Sequence, residues 1–133
     1  PNLVFSVLMI DVNGMTGIND RFGHTMGNEL LRQTIQFIRT VYTGSPIFRI
    51  GGDEFLVLVM DKDYPNRFTL LERLTACNQI RDYQQERPWE QLAFAVGMSD
   101  YCPETDRNYQ EIFLRADAAM YQNKQAVEGK SMR

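Results

Sequence analysis

The stretch Phe48-Arg49-Ile50-Gly51-Gly52-Asp53-Glu54-Phe55 sets two glycines and two adjacent acids between apolar runs. A turn can be made with less charge, so the pairing of Asp53 and Glu54 asks what the carboxylates hold. By itself, a Gly-Gly-acid turn reads as a hairpin with solvated acids. A third carboxylate, Asp11, stands near the end of the apolar run from Leu3 to Val12. Three carboxylates brought to one sheet edge repel one another and lose solvation, so a fold tolerates them best with a cation among them. Hard oxygen ligands without neighbouring Cys or His point to Mg2+ or Mn2+ rather than zinc. Such ions serve phosphoryl transfer, lowering the pKa of an attacking hydroxyl and offsetting charge on leaving pyrophosphate. Gly51 and Gly52 leave room for a nucleotide to approach the backbone.

Whether Asp11 meets Asp53 and Glu54 depends on the elements between them. The run "NLVFSVLMIDV" has almost no polar alternation and predicts a strand covered on both faces. From Asn19 the period becomes helical, with Met26, Leu30, Leu31, Ile35, Ile38 and Val41 on one face of a long helix closing near Thr43-Gly44. "PIFRI" and "EFLVLVM" predict two strands joined by the Gly51-Gly52 turn. A second helix is expected from about Pro65 to Tyr83 with Leu70, Leu71, Leu74 and Cys77 inward. "LAFAVGMSDY" gives a fourth strand, and Asn108 to Lys124 a third helix with Ile112, Ala116, Ala119 and Met120 inward. This order predicts an α+β fold, a ferredoxin-like βαββαβ core with an added C-terminal helix. In that topology the third strand lies between the first two, which puts Asp11 beside Asp53 and Glu54.

The bulk properties narrow the classes. At 133 residues and 44% hydrophobic composition, residues 1–133 are expected to form a single domain. A net charge of −3, from Lys+Arg 14 against Asp+Glu 17, offers no basic face for a nucleic acid. No apolar run reaches the ~18 residues of a membrane span, so no membrane contact by this domain is expected. Cys77 and Cys102 stand in unlike contexts and read as reduced thiols of a cytoplasmic protein. The abrupt start on an apolar strand suggests a piece excised from a longer protein.

Gly51-Gly52-Asp53-Glu54-Phe55 spells the signature of the GGDEF family, the diguanylate cyclases, and the resemblance covers nearly the whole chain. "DVNGMTGINDRFGHTMGNELL" is similar to the family's D-x-(D/N)-x-x-K-x-x-N-D-x-x-G-H-x-x-G-D-x-L-L segment, and "RADAAMYQNK" to its A-D-x-A-M-Y-x-x-K helix. The resemblance implies a core related to nucleotide cyclase and polymerase palm domains that condenses two GTP into cyclic di-GMP and pyrophosphate. It further implies that Asp11, Asp53 and Glu54, with the Val12 carbonyl, hold Mg2+ or Mn2+, and that Glu54 and Asp53 carry the chemistry. Asn13, Gly14, Met15 and Thr16 would take the β- and γ-phosphates, Asn19 and Asn28 the base, and Lys124 would neutralise phosphate charge, with Gly51 and Gly52 leaving room. One nucleotide per protomer makes a homodimer necessary for turnover. An upstream sensory or regulatory domain would bring the protomers together in a longer signalling protein.

Several positions depart from the pattern. The family's aspartate after the G-H-x-x-G run is Asn28, whose amide matches adenine's N6–H and N1 and mismatches guanine's paired donors. Its phosphate-loop lysine is Thr16 beside Met15, and its terminal basic residue aligns with Lys130 only if two residues loop out. Tyr42-Thr43-Gly44-Ser45 stands where many members carry an R-x-x-D product-inhibition site, and the family's helix before the first strand is missing. Two alternatives to a guanine-specific cyclase follow: a cyclase of relaxed purine specificity making an adenine-containing dinucleotide, or a degenerate domain acting as a nucleotide-binding or protein-interaction module. His24 reads as structural, Trp89 and Tyr101 as packing or rim residues, and Asp61-Lys62-Asp63 as a solvated loop.

Overall fold

The computed structural model describes residues 3–131, with side chains through residue 126. β1 (Ser6–Val12) is buried at every position, which explains its uninterrupted apolar run. Then come α1 (Met15–Phe22), α2 (His24–Val41), β2 (Ile47–Arg49), β3 (Glu54–Val59), α3 (Arg67–Ala76), β4 (Phe94–Asp100) and α4 (Tyr109–Ser131). The sheet order is β2-β3-β1-β4, with every neighbouring pair antiparallel. This is the ferredoxin-like order, with β3 between the parallel β1 and β2.

Alternation along β1 divides the core in two. Leu8, Ile10 and Val12 pack on one face with Ile18, Leu30, Ile38 and Leu74 from α1, α2 and α3. Val7 and Met9 pack on the other with Ala95 and with Ile112, Ala116 and Met120 of α4. α4 sits directly on β4: a Cβ built on Gly97 would lie 2.2 Å from both the Ala116 carbonyl oxygen and the Met120 nitrogen. The Val96 N–H on that edge strand donates to Asn123 Oδ1 at 2.9 Å, fixing the helix along its length as well as its depth.

Four local expectations are corrected. The single helix from Asn19 is two helices, because Gly23 at φ 93° interrupts the chain and the first helix begins earlier, at Met15. α3 ends at Ala76 rather than near Tyr83. Asn78 uses its amide to hold Phe94 at both ends (Nδ2 to O 2.7 Å, N–H to Oδ1 2.9 Å), and Gln79 N–H donates to Leu92 O, so the main chain leaves the helical path. Cys77, one step past that end, is exposed rather than inward. Asp63 is buried rather than solvated, since its Oδ2 accepts from Gly44 N–H and Ser45 Oγ and ties the end of α2 to the chain after β3. Trp89 packs edge-on against Phe22 and Tyr101 stacks on Phe5. Among the described residues no helix is long and apolar enough to cross a membrane.

Candidate active site

Asp11 of β1 is in register with Glu54 of β3. Paired residues share a face, and theirs is the α4 face, continuing Val7 and Met9 on one strand and Leu56 and Leu58 on the other. Lys124 lies one helical turn beyond Met120 on the inward side of α4, and its Nζ donates to Asp11 Oδ2 at 2.8 Å. The seating of α4 on Gly97 therefore determines where this ammonium arrives. Asp11 is only 4% exposed, yet its Oδ1 has no hydrogen-bond partner among the described residues. Burial raises the Asp11 pKa above its ordinary value, the Lys124 hydrogen bond opposes that rise, and the Asp53 charge adds to it. Glu54 is raised too, first by desolvation and then by the charges of Asp11, Asp117 and Asp53.

Among the described residues no three Asp, Glu, His or Cys side chains are already gathered into a metal cage. The arrangement is a carboxylate pair with Asp53 close enough to act on both electrostatically. An orphaned buried oxygen and two carboxyls held above their ordinary range are what a hard cation would relieve, so the donor set fits Mg2+ or Mn2+.

The main chain fixes the end of β1: Val12 N–H donates to Asp53 O and Asn13 N–H to Ala93 O, both at 2.8 Å. Gly14 then turns at φ 77° and α1 begins without a side-chain cap. The first bond inside the helix comes from Ile18 N–H to Gly14 O, so the amides of Met15, Thr16 and Gly17 have no helical acceptor. Uncapped amides at a helix start suit an anion. Met15 and Thr16 line a cleft of about 420 Å3, together with Val12, Asn13, Gly14, Asp53 and Lys124. Asp11 and Glu54 are outside that lining, and Asp11 is connected to it through Lys124.

Asn19 and Asn28 also stand outside the lining, on the two helices that meet at Gly23. Asn19 packs against Gly27, where an added Cβ would lie 1.9 Å from its Oδ1, and that buried oxygen has no partner among the described residues. Asn28 is exposed. At the turn, Arg49 donates to Gly51 O (3.1 Å) and Gly52 O (2.7 Å). Neither glycine has positive φ, and a Cβ on Gly52 would meet nothing within 4 Å. The fold itself does not require them. Lys130 lies outside the described side chains.

The opposite wall of the cleft comes from Ala93, near the start of the fourth strand as expected, and from four residues that the sequence places in the second helix: Gln79, Ile80, Arg81 and Tyr83. Asn78, as a helix-ending residue before a polar stretch containing Pro88, is the signal that could have released them from the helix.

The family model described as diguanylate cyclase, GGDEF domain, matches residues 2–130. The bifunctional diguanylate cyclase/cyclic di-GMP phosphodiesterase MucR of Pseudomonas aeruginosa is 34% identical over 121 residues, covering 90% of this chain and 17% of MucR. Diguanylate cyclase DosC of Shigella sonnei is 29% identical over 117 residues, covering 87% of this chain and 25% of DosC. The chain thus spans a quarter or less of the length of these two relatives. Among solved structures, the active GGEEF domain of a diguanylate cyclase from Vibrio cholerae superposes with TM-score 0.76 at 25% identity, covering 93% of this chain and 78% of the other. An EAL/GGDEF domain protein from M. capsulatus gives TM-score 0.72 at 31% identity, covering 94% and 80%. With a strand order that sets Asp11 against Glu54, and a family match running through nearly every element, the chain belongs to the GGDEF domain family of the diguanylate cyclases.

Proposed function

We propose that this chain is a diguanylate cyclase domain that condenses two GTP into cyclic di-GMP. In each of two steps, the 3′-oxygen of one nucleotide bonds to the α-phosphorus of the other. The bond from that phosphorus to the β-phosphate bridge breaks, pyrophosphate leaves, and the hydroxyl proton passes to a base or to water. The observation that carries this reading is the buried Asp11, in strand register with Glu54 and with its Oδ1 unpartnered among the described residues, four residues before the uncapped start of α1. The amides of the loop from Asn13 to Thr16 bind the β- and γ-phosphates, and Lys124 offsets their charge. Asn19 takes the base edge, and the bare turn at Gly51-Gly52 leaves room for the nucleotide. Mg2+ or Mn2+ would be held by Asp11 and Glu54, with Asp53 and the Val12 carbonyl as further ligands. When bound there, it would lower the pKa of the attacking hydroxyl and offset charge on pyrophosphate. Each domain holds one nucleotide, so two copies face one another across a two-fold axis, brought together by a sensory or regulatory domain in a longer cytoplasmic protein.

A second reading concerns the base. Asn28 presents an exposed amide where a carboxylate would accept both guanine N1–H and N2–H, and the amide also suits adenine. One experiment addresses both: an artificially dimerised chain is incubated with Mg2+ and equimolar GTP and ATP, and the products are read by mass spectrometry beside Glu54→Gln. Cyclic di-GMP alone supports the first reading, whereas an adenine-containing dinucleotide supports relaxed specificity. Bound nucleotide without product overturns catalysis in favour of a regulatory binding module.

A further inference from the structure

The wall of the cleft facing the loop carries a cation, Arg81, that forms no ion pair among the described residues. The guanidinium of Arg81 donates from Nε (3.1 Å) and Nη2 (2.8 Å) to the Asn13 carbonyl, and from Nη1 to the Pro88 (2.6 Å) and Gln91 (3.0 Å) carbonyls. No ion pair among the described residues includes it. Burial pushes its pKa below the ordinary value, but a guanidinium stays charged at any pH a protein meets. Four of its five N–H groups are accounted for by these bonds, leaving one on Nη2 without an acceptor among the described residues. The group also lies directly against the loop: a Cβ on Gly14 would come within 2.7 Å of Arg81 Nε. Tyr83 repeats the contact one turn on, since a Cβ on Gly17 would fall 2.1 Å from its hydroxyl.

We infer that Arg81 is a substrate-binding and positioning residue: it holds the loop from Asn13 to Thr16 in place and supplies the positive charge that meets the nucleotide's phosphate chain. The inference rests on reading the cleft as a nucleoside triphosphate site. A residue that only stapled the loop to Pro88 and Gln91 would need donors but no net charge. A half-buried cation met by carbonyl dipoles and by no ion pair among the described residues, in the lining of a cleft whose loop carries the neutral Thr16, has its charge available to an anion. Lys124, on the same cleft, is already engaged with Asp11.

The test titrates the chain with α,β-methylene-GTP, which cannot be cleaved at the reacting bond, and with GMP, by calorimetry in Mg2+. Arg81→Gln is expected to weaken the triphosphate analogue by at least about tenfold while changing GMP by less than about threefold. Arg81→Lys falls between. Thr16→Lys added to Arg81→Gln restores most of the loss, because it returns a cation to the same cleft from the other wall. A loss equal for both ligands, or one that Thr16→Lys leaves unrepaired, makes Arg81 a staple of the loop and overturns the inference. Unchanged triphosphate affinity in Arg81→Gln overturns it as well, while the cleft reading stands. If the unmodified chain binds neither ligand, the cleft reading itself fails and the inference falls with it.

Discussion

The two ends of β1 carry charged clusters that differ in how completely they are paired. At its start, Ser6 is in register with Asp100 and donates to its carboxylate, while Arg67 grips both carboxylate oxygens at 2.9 and 3.1 Å. Arg115 reaches the Asp100 carbonyl and the Asp106 carboxylate, at 2.8 and 2.9 Å. Desolvation pushes the Asp100 pKa up, but the hydrogen bonds from Arg67 and Ser6 and the charges of Arg67 and Arg115 outweigh it, leaving it below its ordinary value. At the far end, Asp11 and Glu54 are held above theirs, and one Asp11 oxygen has no partner among the described residues. One end is closed on itself and contributes to stability. The other is short of positive charge, and a ligand can supply what the chain does not.

Glu54→Gln should separate the two ends most sharply. Cyclic dinucleotide formation is expected to fall about a hundredfold or more, while the melting temperature in chelator rises because one charge leaves a crowded pair. A fall in melting temperature would break the comparison. Arg67→Met strikes the closed end, leaving Asp100 without its fork; urea unfolding should show a loss of about 2 kcal/mol, discounted for partial exposure, with nucleotide affinity unchanged. Asn28→Asp should raise the GTP over ATP preference by about tenfold in competition binding.

The smallest effect is the pH dependence of stability, and its sign differs between the ends. Asp11 and Glu54 have folded pKa values above the ordinary 3.8 and 4.5, so the stability they contribute is present below those values. It is lost as pH rises through the folded ones. Asp100 lies below 3.8, so its contribution is present above that value and lost as pH falls through the depressed one. In chelator, Asp11→Asn should therefore gain a few degrees in melting temperature over the unmodified chain on going from about pH 4 to about pH 7. Asp100→Asn should lose most at neutral pH and converge with the unmodified chain in acid.

The open end was legible in the sequence wherever strand alternation or helical period fixed it. Asp11 falls at the end of a doubly covered strand, the Gly51-Gly52 turn fixes the start of the next, and Lys124 follows Ala116 and Met120 on one helical face. These are periodic constraints, and periodicity survives without coordinates. The other wall of the cleft was hidden because its geometry depends on single side chains overriding local preference. Nothing in "LTACNQIRDY" forbids another helical turn until Asn78 finds Phe94 on β4, a partner sixteen residues away. Arg81 and Tyr83 then become cleft residues instead of helix residues. Asp63 is hidden from the sequence for a similar reason, since the groups that donate to its Oδ2, Gly44 N–H and Ser45 Oγ, lie across a strand pair.

Gly52 has a further consequence. With φ outside the left-handed region and open space where a side chain would go, the folded chain does not penalise alanine there, and the unfolded ensemble would shrink. Gly52→Ala should therefore make the protein more stable, by about 0.4–1 kcal/mol. A library of variants sorted only by survival on heating would let this position drift away from glycine. The most recognisable pentapeptide of the chain would be among the first things such a selection erased.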